Sequence, residues 1–187
     1  LLLTPDQVTD ENKRRYADEY FRIRRGKTSA EEALAQMDDP LYYSLMMVRS
    51  GDIDGMVAGA EYTSADVARA IFRCTDVDPR CGLITSCFLI ALPDDAWGEQ
   101  GIYIYADCGI IPYPTSQQLA GIGLAAAYFV QDILKYEPRV AFLSYSTKGS
   151  AGGPHVDKVR EAVAAAKERA PLMAIDGELQ ADAAIMP

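Results

Sequence analysis

The densest run of residues able to do chemistry is Phe142-Leu143-Ser144-Tyr145-Ser146-Thr147-Lys148-Gly149-Ser150-Ala151-Gly152-Gly153. It leaves an apolar, strand-like run and leads towards a helix. Ligands of α/β sheets bind just beyond the carboxyl ends of strands. Hydroxyls, a lysine and several glycines at such a place can wrap an anion, because glycine lets backbone N–H groups approach closely and a helix start adds positive potential. The Walker A spacing of glycines and lysine is absent. On composition alone, a flexible polar turn accounts for the run equally well.

A second loop, Gly59-Ala60-Glu61-Tyr62-Thr63-Ser64-Ala65-Asp66, also separates a strand-like run from a helix. Thr63 or Ser64 caps that helix. Arg69 lies one turn in and can reach back over the loop, although a solvated arginine is the plainer reading. The third basic feature is Arg22-Ile23-Arg24-Arg25-Gly26-Lys27. Charge runs are most often solvated faces, yet arginine is the side chain best shaped for bidentate phosphate contact.

Two acidic segments follow apolar runs, Tyr105-Ala106-Asp107-Cys108-Gly109 and Ile175-Asp176-Gly177-Glu178-Leu179-Gln180-Ala181-Asp182. Carboxylates there can bind a metal, act as bases or hold loops together, and loop-holding is commonest. His155 follows a proline in a glycine-rich turn and faces solvent, with no nucleophile beside it in sequence, so a Ser-His-Asp triad is weakly supported. The cysteines, Cys74, Cys81, Cys87 and Cys108, form no C-x-x-C pair, which argues against zinc. Cys87 and Cys108 lie in apolar runs and read as buried, reduced thiols suited to a cytoplasm.

The elements that must position these groups alternate between helix and strand. Residues 10–25 are helical, and Thr28-Ser29-Ala30-Glu31 is a capping box that starts a second helix. Asp39-Pro40 starts a third, stopped by Gly51. Residues 53–58 read as a short buried strand, and a helix follows to about Cys74. Strands are expected at 83–92, 102–106, 139–144 and 172–175. A capping box at Thr115-Ser116-Gln117-Gln118 opens a long helix to about Tyr136, and a further helix covers 156–169. Such alternation predicts an α/β layered fold with largely parallel sheets. The polar stretch 75–80 divides it into two lobes, 1–78 and 79–187, each with a parallel-type sheet.

The 187 residues are 49% hydrophobic and 24% charged, an ordinary globular composition. With 18 Lys and Arg against 27 Asp and Glu, the net charge is -9, which disfavours general nucleic-acid binding. No apolar stretch is long enough to span a membrane, and no signal peptide is expected. The chain opens on Leu1-Leu2-Leu3 without Met and stops after the apolar run Ala183-Ala184-Ile185-Met186. It is therefore expected to be a fragment, with sequence missing on both sides.

Read together, four phrases resemble the phosphotransacetylases, within the phosphate acyltransferases. They are Asp54-Gly55-Met56-Val57-Ala58-Gly59-Ala60, Tyr105-Ala106-Asp107, Leu143-Ser144-Tyr145-Ser146-Thr147-Lys148-Gly149-Ser150-Ala151, and the stretch from Ile175 to Ile185. The resemblance runs from about Tyr16 to Pro187. It implies two α/β domains with a cleft between them, related in architecture to isocitrate and isopropylmalate dehydrogenases. It implies a cytoplasmic homodimer that converts acetyl-CoA and phosphate reversibly to acetyl phosphate and CoA, with CoA as substrate and no further cofactor. Arg24 and Arg69 match family arginines implicated in binding CoA or phosphate. Thr63, Ser64, Ser146, Thr147 and Lys148 match loops that line the cleft. The family's C-terminal Ser-Arg pair and catalytic Asp lie beyond Pro187, so no catalytic residue is assigned and the fragment is expected to be inactive. Where one family pattern has a cysteine, this chain reads Pro93-Asp94-Asp95, which argues against a required acyl-cysteine.

Three other functions remain in view. A dehydrogenase on the related fold would use carboxylates such as Asp176, Glu178 and Asp182, but no G-x-G-x-x-G fingerprint is present. A phosphate butyryltransferase would share every phrase quoted. A non-catalytic regulatory module resembling phosphotransacetylase would tolerate the absent catalytic end.

Overall fold

The computed structural model describes residues 9–186. The chain divides into two compact units, one ending at Asp76 and the other beginning at Val77.

The first unit is built from four helices, α1 (Asp10–Ile23), α2 (Ala30–Gln36), α3 (Pro40–Arg49) and α4 (Ser64–Cys74). Each starts where a side-chain oxygen takes up an otherwise orphaned N–H. Thr9 caps α1, Asp39 caps α3 ahead of Pro40, and Thr63 caps α4. The cap of α2 falls one residue later than the sequence predicts. Ser29, not Thr28, accepts from the N–H of Glu32, and Glu32 returns the bond to the Ser29 N–H. Either hydroxyl followed by either glutamate satisfies the pattern, and the structure uses the second pair.

The core of this unit is aromatic. Tyr16 meets Tyr43 edge to face at 5.0 Å, and Tyr20 meets Tyr42 likewise at 5.9 Å. Met46, Ala70 and Cys74 close the space between them. The hydroxyl of Tyr16 reaches Asp52 at 2.5 Å, which satisfies its polar end. No strand occurs among the described residues of this unit, which corrects the expected strand at 53–58 and the sheet that it implied. That segment is irregular; Ile53 is half-buried and Val57 fully exposed. Apolar residues alone do not make a strand when no neighbouring edge takes up their backbone groups.

The second unit holds two small sheets. β1 (Cys87–Ala91) and β2 (Ile102–Ala106) pair antiparallel, with Cys87 opposite Ala106 and Ala91 opposite Ile102. β3 (Arg139–Leu143) and β4 (Ala174–Leu179) pair in parallel. The expected largely parallel arrangement is thus corrected to a mixed α/β fold with one pair of each kind. Thr115 and Gln118 form the capping box of α5 (Ser116–Phe129), as their spacing predicts, and a π-helical turn, Val130–Leu134, follows. α6 (Pro154–Arg169) connects β3 to β4, and α7 (Ala181–Ile185) follows β4. The core lies where α5 and α6 cover Phe142 of β3 and Ile175 of β4.

Strand limits also move. β1 begins four residues later than expected, and β4 runs from Ala174 instead of Leu172, which is fully exposed. Cys108 is exposed, against its expected burial, because β2 ends at Ala106. Cys87 is half-buried, and burial pushes its thiol up.

Candidate functional site

The run 144–153 begins directly after β3 and ends at Gly153, immediately before α6. It therefore lies at the carboxyl end of a parallel strand, although Pro154 brings no N–H to the start of α6 and the N–H groups of Val156 and Asp157 both donate to the Gly153 carbonyl at 3.0 Å. Lys148 and Gly149 take positive φ, 46° and 89°. Glycine adopts that geometry at little cost, and the turn aims the Gly149 N–H inward.

What it meets there is Glu178. In the register of β3 and β4, Phe142 pairs with Gly177 and Leu143 with Leu179, so Glu178 has no partner on β3. A bulge of this kind re-aims a side chain. Plain alternation would put Glu178 on the same face as the exposed Ala174 and Asp176, whereas its side chain is 4% exposed. Gly177 makes room for the irregularity, since a Cβ there would meet the Phe142 carbonyl at 2.8 Å.

Glu178 gathers the loop. Its Oε1 accepts from Gly149 N–H at 2.7 Å, from the Ser146 hydroxyl at 3.0 Å and from Arg160 Nη2 at 3.0 Å. Its Oε2 accepts from Arg160 Nε at 3.1 Å. The forked pair with Arg160, helped by the Gly149 N–H and the Ser146 hydroxyl, holds the carboxyl down at about 2 against the opposing effect of desolvation. Arg160 also donates to the Ala151 carbonyl at 3.1 Å, which ties α6 to the far side of the loop.

The other loop groups are engaged as well. Ala151 N–H donates to Ser146 Oγ at 3.0 Å, Thr147 N–H to Ser150 Oγ at 2.9 Å, and Lys148 N–H to the Glu178 carbonyl at 3.1 Å. Ser146 is completely buried, and its hydroxyl holds the loop on Glu178 in this arrangement. Thr147 Oγ1 exchanges bonds with Gln180, accepting its N–H at 2.9 Å. The half-exposed Lys148 ammonium pairs with Asp176 and donates to the Gly177 carbonyl at 3.2 Å. Of the side chains that the sequence singles out here, Thr147 and Lys148 reach the surface. Glu178 and Arg160 are the members that sequence reasoning leaves unassigned. The glutamate stands in a matching phrase, but nothing in its spacing signals the bulge.

In the first unit, Thr63 Oγ1 accepts the Asp66 N–H at 3.2 Å and donates to Asp66 Oδ2 at 2.6 Å. Arg69 Nη1 donates to Asp66 Oδ1 at 2.7 Å. The Thr63 hydroxyl, then the Arg69 guanidinium, hold the Asp66 carboxyl below its usual range. Ser64, the first residue of α4, is exposed, and Arg69 is about half-exposed. Arg24 sits at the C-cap of α1, half-buried.

Asp107 holds a turn. It accepts from the hydroxyls of Thr85 at 2.8 Å and Ser86 at 2.7 Å, and from the N–H groups of Gly109, Ile110 and Ile111 at 2.6, 2.8 and 3.2 Å. Burial alone would raise its carboxyl. The Ile110 N–H, the Ser86 hydroxyl and the remaining donors outweigh burial and keep it far below the carboxylate range. A carboxylate so fully donated to is a poor base. His155 is exposed on the first turn of α6 and makes no side-chain hydrogen bond within the described residues. No helix of the described residues is long and apolar enough to cross a membrane.

Comparison with known proteins gives one consistent outcome. A family model described as "Phosphate acetyl/butaryl transferase" matches residues 4–187. The phosphate acetyltransferase of Thermoanaerobacterium thermosaccharolyticum is 40% identical over 182 residues, which is 97% of this chain and 56% of that protein. That of Acetivibrio thermocellus is 39% identical over 187 residues, covering 100% and 56%. Among solved structures, the EutD phosphotransacetylase from Staphylococcus aureus superposes with a TM-score of 0.83 at 35% identity, over 96% of this chain and 53% of that one. The chain spans about half the length of the curated relatives it matches.

Proposed function

The chain belongs to the phosphate acetyl/butyryl transferase family, and from that premise we propose that it forms part of an enzyme moving an acetyl group reversibly between CoA and inorganic phosphate. The observation that carries this reading is likeness along the whole chain: 40% identity to one phosphate acetyltransferase and a TM-score of 0.83 to a phosphotransacetylase. The reading extends to a homodimer in the cytoplasm and to a two-lobed architecture of the isocitrate and isopropylmalate dehydrogenase kind.

In the proposed chemistry, a base takes the proton of the CoA thiol and the thiolate attacks the carbonyl of acetyl phosphate. The tetrahedral oxyanion collapses and phosphate leaves. Cationic and N–H donors stabilise the developing charge and the leaving dianion. Lys148 and Thr147 serve the phosphate from the end of β3. Ser146 acts beneath them by fixing the loop on Glu178. Arg24, Arg69, Thr63 and Ser64 serve CoA or phosphate from the first unit. Lys148 must exchange Asp176 for the phosphate, so the ion pair competes with the substrate. No further cofactor is invoked, because CoA itself carries the acyl group.

The test is thioester formation from CoA and acetyl phosphate, with butyryl phosphate as a competing substrate, by the protein carrying this chain. Acetyl-CoA formed in preference supports the proposal. Preference for the butyryl group reassigns the substrate. CoA binding without thioester formation from either substrate supports the non-catalytic module.

A further inference from the structure

The four cysteines divide by accessibility. Cys74 and Cys81 are buried, Cys87 is half-buried and Cys108 is exposed. Neither of the last two takes part in the proposed chemistry. They stand at the open end of the β1–β2 pair, away from the connection between the strands.

The register brings them together. Cys87 lies opposite Ala106. Carried one step past the strand ends, the same register sets Ser86 opposite Asp107, and the Ser86 hydroxyl donates to the Asp107 carboxylate at 2.7 Å as that pairing requires. Cys108 N–H donates to the same hydroxyl at 3.3 Å. One step further, Cys108 comes opposite Thr85, two residues before Cys87. Cys87 and Cys108 are thus diagonal neighbours, and the period of two places them on one face of the pair. The Cys87 thiol senses that neighbour: burial leads in pushing it up, and Cys108 adds to the rise ahead of Asp107. Diagonal positions lie about 7–8 Å apart, whereas a disulfide spans about 4.4–6.8 Å between Cα atoms, so a bridge needs Cys108 to move towards Cys87 by roughly 1 Å or more. The backbone that must give is the turn in which Asp107 accepts from the N–H groups of Gly109, Ile110 and Ile111. Cys108 sits between that anchor and the groups it anchors.

We propose that Cys108 is a site of reversible oxidation by low-molecular-weight disulfides, with Cys87 as its resolving thiol. The Cys108 thiolate attacks one sulfur of a small disulfide RSSR and expels RS⁻, which leaves Cys108 joined to RS. The Cys87 thiolate then attacks the Cys108 sulfur and expels the second RS⁻. Each RS⁻ takes up a proton that a cysteine has given. Two cysteine thiols are oxidised to one disulfide, and RSSR is reduced to two RSH. Exposure makes Cys108 the first to react, while half-burial keeps the reagent from Cys87 and its raised thiol makes the second step the slower one. Closure draws Cys108 away from the Asp107 anchor, so the bonds to the N–H groups of 109–111 open with it. A thiol reductant reverses both steps.

The experiment treats the reduced protein carrying this chain with oxidised glutathione, alkylates the remaining thiols at intervals and maps the peptides by mass. Glutathione appears on Cys108 first. A linked Cys87–Cys108 peptide pair then replaces it, with the glutathione released, and dithiothreitol restores the starting mass. Cys87→Ser stops the course at the mixed disulfide on Cys108, and Cys87→Ala, which keeps an apolar group at the half-buried position, gives the same arrest. Cys108→Ser abolishes the bridge, and Cys87 then takes up glutathione at least about tenfold more slowly than Cys108 does in the parent. Amide exchange over 109–111 rises when the bridge closes and falls back on reduction. A mixed disulfide that persists unresolved on Cys108 of the parent overturns the inference. So does a bridge from Cys108 to any other cysteine or to a second copy, or no reaction at Cys108.

Discussion

The two loops that the sequence offers as anion sites are held in opposite ways. The loop before α4 is pinned locally, since Thr63, Asp66 and Arg69 satisfy one another within two helical turns. The loop after β3 is pinned from afar, since Asp176 and Glu178 of β4, and Gln180 just after it, reach it from about thirty residues later. Both loops share hydroxyls, glycine and a cation. Only the second has a buried carboxylate at its centre and its N–H groups turned inward. Similar composition therefore conceals different stiffness, and a site whose geometry must be prearranged gains from the second kind of support.

The sharpest way to break this contrast is Glu178→Ala. It strands the Arg160 guanidinium, the Gly149 N–H and the Ser146 hydroxyl together. Calorimetry should show the second unit melting more than about 5 °C lower. Amide exchange should rise over 146–151 and stay unchanged at 63–66. An unaltered melting temperature would mean that the bulge does not hold the loop.

The same carboxylate gives an acid-side signature. Its folded pKa of about 2 lies below the ordinary glutamate value of about 4.3. Its stabilisation is therefore complete above the ordinary value and lost as the pH falls from there through about 2. Asp107 acts in the same sense. The first unit responds at the other end. Burial, the leading cause in both, raises the Cys74 thiol and the Tyr16 phenol to about 12. Their contribution is whole below the ordinary values, about 8.5 and about 10, and falls away as the pH rises towards 12. Trp97, the single tryptophan, lies in the second unit and reports its acid transition by fluorescence. Tyrosine absorbance follows the alkaline one.

Smaller changes separate the loops further. Ser146→Ala removes a buried acceptor from the Ala151 N–H and should cost about 1–3 kcal/mol. Thr63→Ala removes only a helix cap and should cost about 0.5–2 kcal/mol. Urea unfolding followed by fluorescence for the first variant and by circular dichroism for the second measures both. A larger loss at Thr63 than at Ser146 would reverse the order of support argued above.

Much of this was legible in the sequence. The capping box at Thr115 and Gln118, the Asp39-Pro40 start and the position of the 144–153 loop after an apolar strand all follow from local chemistry. So does loop-holding by the carboxylate of Asp107. The bulge at Glu178 was hidden, because strict alternation assigns that residue to the exposed face of Asp176. The segment 53–58 departs from its strand-like pattern, because apolar composition says nothing about whether an edge is present to pair with.

The most direct measurement is acetyl-CoA formation from acetyl phosphate and CoA, compared between the protein carrying this chain and its Lys148→Ala and Arg69→Ala variants. The account predicts transfer by the parent, with the KM for acetyl phosphate or CoA raised about tenfold or more in each variant, as expected when a charge-assisted hydrogen bond is lost. Transfer with unchanged KM and kcat in both variants would contradict it.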